Sequence, residues 1–265
     1  MKITQVSALC ASIKRRNYFF ISTLSVILFM SCSDSVSDEF EEVNGDVVEK
    51  QIEQISVVSV QNPKDDITLY LYYDGDDRLS SISNGIDART FEYTDNKLSN
   101  IGGEDDDVLN IEELYKSPYD AFEMGQVVEY DDNGNPYLIQ LYQEDYDYET
   151  DEMKIIEYTA EITYDDVHNP YYYTLQSAGI IDVLDKVQLN FSSAPQSSKV
   201  VKARLLFPVN NPSKIVYKND AGIPLYQIEV DYVYDEDNYP ISASVVATSL
   251  TRKETFKYLT SYLYR

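Results

Sequence analysis

Forty-six carboxylates, one histidine, two cysteines and twenty-five tyrosines set the chemistry open to this 265-residue chain. Carboxylates are the one catalytic group in surplus. Two of them, suitably spaced, suffice for glycoside hydrolysis, and clustered ones can hold calcium. Asp131-Asp132-Asn133-Gly134 and Gly103-Glu104-Asp105-Asp106-Asp107 are the clusters, and neither has EF-hand spacing or a distant bidentate Glu. Turn chemistry accounts for the first, so Asp105, Asp106 and Asp107 are the metal candidates. His168 sits inside a turn-like stretch and reads as an exposed turn residue rather than a general base. No Gly-x-Ser-x-Gly elbow accompanies it. Gly102-Gly103 runs into four acids, which would repel a phosphate. A net charge of −25 argues against nucleic acid. No cofactor is implied, and most carboxylates read as solubilising turn and surface groups.

Tyrosine is the other unusual supply. A Tyr at a strand end packs on its cross-strand neighbour, with its ring on the core and its hydroxyl in water. The functional alternative is a stacking platform for sugars or a protein-binding face, although Trp is absent. Tyr171-Tyr172-Tyr173 would expose at least one ring if the segment is a strand, so these three are the ligand-binding candidates.

The elements that must position these groups announce themselves as repeats. Tyr130-Asp131-Asp132-Asn133-Gly134-Asn135-Pro136 has the Asp, Asn and Gly of a tight turn. Pro136 cannot donate to a ladder and belongs at the first position of the returning strand or on an edge. Variants begin at Tyr73, Tyr93, Tyr164, Tyr217 and Tyr234. Their spacing approximates multiples of roughly 18 residues, about one β-hairpin. Between turns the pattern has a period of two. Ile156, Tyr158, Ala160, Ile162 and Tyr164 alternate with Glu157, Thr159, Glu161 and Thr163. Ile228, Val230, Tyr232 and Tyr234 do likewise, as do Phe256, Tyr258, Tyr262 and Tyr264 on a last strand. One apolar and one polar face specify half-buried antiparallel strands and not parallel βαβ units. Ser177 to Gln188, with Ser177 as N-cap, predicts a short helix plugging one end of the sheet. Val108 to Tyr115 has near-helical spacing, and Phe191 to Lys199 reads as a loop.

The first 31 residues read as a targeting segment. Lys2, Lys14, Arg15 and Arg16 precede the apolar run Tyr18 to Met30, which is short for a membrane span. The run ends Ser31-Cys32, which resembles a bacterial lipoprotein signal and implies lipidation of Cys32. Phe29 and Met30 depart from the usual residues there. Cleavage would remove Cys10 as well, leaving no thiol for catalysis, Cys-rich zinc sites or iron–sulfur clusters. Residues 32–51 read as an acidic flexible tether, and 52–265 as a single antiparallel β domain. Asp34, Asp38, Glu39, Glu41 and Glu42 loosely resemble a cell-surface export signal of Bacteroidetes lipoproteins.

Tyr164-Asp165-Asp166, Asn169-Pro170, the helical insert, Val209-Asn210-Asn211-Pro212 and the turns after Tyr217 and Tyr234 carry a further resemblance. Together they look like a Bacteroidetes lipoprotein family with a domain of unknown function built from Tyr-Asp hairpin repeats. That resemblance implies a porin-like antiparallel fold and no activity. The expected fold is therefore all-β: a meander of hairpins in a strongly curved sheet or porin-like barrel, with one or two short helices. The expected protein is an outer-membrane lipoprotein, on the periplasmic face or cell surface, that binds a glycan or an envelope protein without catalysis. Alternatives are a structural lipoprotein with no small ligand and a carboxylate-dependent glycoside hydrolase. An integral barrel would need a lipid-facing apolar band, and the second strand face here is Glu, Asp, Thr and Ser.

Overall fold

The computed structural model describes residues 35–103, 109–111, 125–147, 151–189 and 207–265. The leader, Cys32 and Asp105 to Asp107 lie outside them. Thirteen strands form one curved, open, antiparallel sheet. They are β1 (Ile52–Ser59), β2 (Ile67–Tyr73), β3 (Leu79–Ser83), β4 (Ala88–Thr94), β5 (Lys97–Gly102), β6 (Leu109–Asn110), β7 (Gly125–Tyr130), β8 (Pro136–Asp147), β9 (Glu152–His168), β10 (Asn210–Asn219), β11 (Pro224–Tyr234), β12 (Pro240–Ser249) and β13 (Glu254–Tyr264). Neighbours in sequence are neighbours in space, with one exception. β1 pairs with β13 in mid-sheet, Ile55 opposite Tyr262 and Val57 opposite Thr260, and this leaves β6 and β7 at the edges. Three helices lie at one end: α1 (Val36–Asn44), α2 (Tyr172–Ser177) and α3 (Ile180–Leu189).

Four hairpins turn at that same end, and three of them share one geometry. Asp74, Asp131 and Asp235 each accept, through Oδ1, from the backbone N–H two and four residues on, at 2.8–3.0 Å. Three residues after each Asp the chain passes through positive φ: Asp77 at 60°, Gly134 at 77° and Asn238 at 63°. Asp and Asn tolerate this region because their short side chains bond locally, and Gly has no Cβ to clash. The fourth, Asp95-Asn96, is a two-residue turn with φ of 52° and 60°. The Tyr217 motif also turns, between β10 and β11, but at the opposite end.

The Tyr164 motif is not a turn: residues 164 to 168 continue β9, with register shifts against β10. Those shifts set His168 on the inside, 5 % exposed, instead of at a turn surface. Asparagine amides stitch the irregular region. Asn135 Nδ2 donates to Asn210 Oδ1 at 2.8 Å, and Asn211 Nδ2 to the His168 carbonyl at 3.0 Å. Such closed networks satisfy buried amides that would otherwise cost free energy.

The core lies between the helices and the sheet face bearing Ile55, Leu71, Tyr262 and Tyr264. The stretch read as a flexible tether contributes to it. Ser35 caps α1 by accepting from the Asp38 N–H at 3.0 Å, and Val36 and Phe40, one turn apart, are each 1 % exposed. The Phe40 ring stacks on Tyr172 at 3.6 Å, and Asp185 of α3 accepts from the Val36 N–H and Ser37 hydroxyl. Two anchoring apolar residues in an acidic stretch give no visible period, which is why composition concealed the helix. The helical insert also divides differently from its expected form. Ser177 ends α2, and Gly179, at φ 74°, turns the chain into α3.

Phe40→Ala removes a stacked core ring and should cost about 3–5 kcal/mol in urea unfolding. A cost below about 0.5 kcal/mol would restore the tether reading. Asp235→Ala frees two backbone N–H groups and removes one of the two carboxylates on the Lys50 ammonium, leaving Asp237 at 2.8 Å, and should cost about 1–2 kcal/mol.

Candidate ligand-binding site

Tyrosines divide by what their hydroxyls do. At the helix-bearing end, five donate to a carbonyl at or near the start of the preceding strand. Tyr73 reaches Ile52 at 2.6 Å, Tyr93 reaches Leu79 at 2.6 Å, and Tyr164 reaches Pro136 at 3.0 Å. Tyr232 reaches Pro212 at 3.2 Å and Tyr264 reaches Pro240 at 2.8 Å. These hydroxyls face protein, not water as the strand-end reading expected. Burial pushes their phenols up, Tyr93 to about 12.

At the opposite end the pattern inverts. Leu141, Tyr142, Tyr158, Tyr217, Leu225, Tyr226 and Thr251 line a recess of about 590 Å³. The size suits a small ligand. Register sets Leu141, Tyr158, Tyr217 and Tyr226 on the face that carries the helices. Leu141 opposes Tyr158, Ala160 opposes Tyr217, and Tyr217 opposes Tyr226. Ala160 puts a small side chain in the row between large ones. The hydroxyls of Tyr158, Tyr217 and Tyr226 have no hydrogen-bond partner among the described residues. No charged side chain among the described residues lines the recess. It offers apolar surface and the phenols of Tyr158, Tyr217 and Tyr226.

Two other cavities are accounted for by their own contacts. One, of about 510 Å³ at the helix end, includes Arg78 and Arg265. Arg78 pairs with Asp74 at 2.7 Å and lies over the Tyr93 ring, while Arg265 pairs with Asp77 and lies over Tyr73. The other includes Glu39, Glu42, Asp132 and Asp166. Among the described residues no group of three or more His, Cys, Asp or Glu is placed to hold a metal ion. Asp131, in the first calcium cluster, spends its carboxylate on its own turn.

Tyr171, Tyr172 and Tyr173 do not form the exposed platform expected of a strand. They open α2 and point to three different places. Burial holds the Tyr171 phenol up against Tyr262. Tyr172, 2 % exposed, stacks on Phe40, and the Tyr173 hydroxyl donates to the Val47 carbonyl at 3.2 Å. The residues that do form a recess were visible only in part. Tyr158 and Tyr217 stood out in the alternation and in a turn motif. Their convergence with Tyr226 and Leu141 depends on pairing across four strands.

His168 sits between the Phe40 ring at 6.4 Å and the Tyr239 ring at 4.5 Å, and its Nε2 has no partner. Desolvation lowers its pKa, opposed by Asp235 and Asp165 and reinforced by Lys50. It serves as a neutral, buried aromatic.

No protein-family model matches this chain, and neither does any curated protein. Among solved structures, a porin-like protein from Bacteroides uniformis aligns over 83 % of this chain and 99 % of its own, at 10 % identity and a TM-score of 0.38. A porin-like protein from Bacteroides vulgatus aligns over 82 % and 99 %, at 11 % identity and a TM-score of 0.31. A putative outer membrane lipoprotein-sorting protein domain from Vibrio parahaemolyticus aligns over 86 % and 89 %, at 10 % identity and a TM-score of 0.27. No residue role is carried over from them.

Tyr264→Phe should cost about 1 kcal/mol in urea unfolding by orphaning the Pro240 carbonyl, whereas Tyr217→Phe should change stability by less than about 0.5 kcal/mol. The folded state holds fewer protons on His168 than the unfolded chain does. Stability should therefore fall as pH drops below about 6.5, the unfolded value, and level off below the folded pKa. Asp74 and Asp235 are held below the ordinary carboxylate value: Arg78 is the largest cause for Asp74, and at Asp235 desolvation, which raises the value, is outweighed by Lys50 together with the Tyr239 and Asp237 N–H groups. Their loss begins only below about pH 4. In His168→Gln the upper step should vanish while the lower one persists.

Proposed function

We propose that this chain is a lipid-anchored, non-catalytic binding protein of the outer membrane, facing the periplasm or the cell surface. Its ligand occupies the tyrosine-rimmed recess at the end of the sheet away from the helices. The observation that carries this reading is the contrast between the two ends. Five phenols on one are committed to backbone carbonyls, while three around an apolar recess on the other have no partner among the described residues. These phenols present ring surface that the fold does not itself cover, with the polar tip free to face water or a ligand. Among the described residues the recess lining holds no acid, base or nucleophile of the kind hydrolysis needs.

The anchor reading rests on the leader and on Cys32, and the membership reading on the Tyr-Asp hairpins that recur through the chain. Both belong to the sequence pattern. In this account Cys32 is the lipidated residue and the membrane is the first partner.

Two experiments test the proposal. Cells fed an alkyne-tagged fatty acid should label the wild-type protein and leave Cys32→Ser unlabelled and released from the membrane fraction; equal labelling of both would overturn the anchor. Protein purified without denaturation from its native membranes should carry a small molecule detectable by mass spectrometry. Tyr226→Arg, at a residue already 40 % exposed, should lose that molecule while keeping its unfolding midpoint. An empty wild type would favour a structural lipoprotein with no small ligand.

A further inference from the structure

Resting on the binding reading above, we infer that the ligand is a single-chain anionic amphiphile: a hydrocarbon chain in the recess with a carboxylate or phosphate head at its mouth. Three observations converge. Among the described residues the lining is aliphatic and phenolic, with Thr251 the only other polar side chain. A sugar buried there would leave most hydroxyls without partners, at a cost of about 1–3 kcal/mol each. A hydrocarbon chain has no such groups to satisfy.

The apolar surface also extends beyond the recess. Behind Tyr226 on the same face lie Ile228, Ala247 and Phe256, paired in a row across β11, β12 and β13. Ile228 and Ala247 are half-buried, and Phe256 is 39 % exposed although its neighbours face the interior. This row gives an extended chain somewhere to lie, and its length exceeds what a compact ring would cover.

Charge at the mouth supplies the third observation. The chain carries −25 overall, and the turns at the helix end hold Asp74, Asp76, Asp77, Asp131, Asp235 and Asp237. The β12–β13 turn holds Arg252 and Lys253, directly after Thr251 of the lining, while the β10–β11 turn at the same end holds Asp220. Neither cation has an ion-pair partner among the described residues, and together they outnumber the exposed Glu254 that follows. The turn is fixed to the recess: the Arg252 N–H donates to Ser249 Oγ at 3.2 Å, and Ser249, fully buried, is the cross-strand partner of Tyr226. Two unpaired cations beside an apolar recess, on an otherwise acidic protein, complement an anionic head joined to an apolar chain.

The test uses cis-parinaric acid, a fluorescent C18 polyene, with its methyl ester and a neutral glucan hexasaccharide for comparison. Wild-type protein should bind the acid saturably and one-to-one, the ester more weakly, and the hexasaccharide not at all. Arg252→Glu/Lys253→Glu should weaken the acid about tenfold and leave the ester unchanged, and Tyr226→Arg should abolish both. Both variants alter exposed positions, and their unfolding midpoints check the fold. Acid and ester binding alike, with no effect of the charge reversal, would overturn the anionic head. Tight hexasaccharide binding with no polyene binding would overturn the hydrocarbon chain while leaving the binding reading intact. A molecule that co-purifies but is displaced by neither polyene would do the same. A wild type that carries nothing and binds no probe would end both.

Discussion

Five tyrosine hydroxyls bonded to strand-start carbonyls set the character of one end of this sheet. A carbonyl at the beginning of a strand, beside a turn, has no ladder partner on that side, and burying it bare would cost free energy. The phenol of the following strand's end reaches back across the hairpin and satisfies it. Its ring meanwhile becomes part of the floor on which α2 and α3 sit, as with Tyr73 and Tyr264. The aspartate turns serve the same end by holding the strand tips in a fixed geometry. Proline at a strand start, as at Pro136, Pro212 and Pro240, forgoes an N–H and keeps the carbonyl that the phenol needs.

That arrangement polarises the molecule. The helix end has rings covered by α1, α2 and α3, and its guanidinium groups are neutralised by turn carboxylates. The other end is a curved sheet whose apolar face carries no helix among the described residues. Tyr217 shows the difference within one motif. Its turn resembles the others in sequence, but it faces the uncovered end, and its ring lines the recess. The same residue type therefore acts as structure at one end and as available surface at the other, and its position relative to the helices decides which.

Much of this was legible in the residues. Period-two alternation identified β9, β11 and β13 and their inward faces, five of the six turn motifs are hairpin tips, and Pro136 lies at a strand start as expected. What misled was local similarity without local sufficiency. Tyr164-Asp165-Asp166 has turn composition, yet pairing with β10 keeps it extended, and His168 goes inside with it. Tyr171 to Tyr173 has strand composition, yet it follows Asn169-Pro170 and winds into α2 against Phe40. Phe40 itself lies in an acidic stretch with little apolar content, and α1 is held by long-range contacts, the stack on Tyr172, 132 residues away in sequence, and the bonds to Asp185. The recess was invisible for a related reason: it is assembled from single residues on β8, β9, β10 and β11, and from the absence of partners for their hydroxyls.

The division of the tyrosines is the central claim, and ring-labelled tyrosine NMR tests it most directly. Titrating the labelled protein with lauric acid should move the resonances of Tyr158, Tyr217 and Tyr226 and leave those of Tyr73, Tyr93, Tyr164, Tyr232 and Tyr264 in place. Shifts confined to the second group, or none in either at saturating ligand, would contradict it.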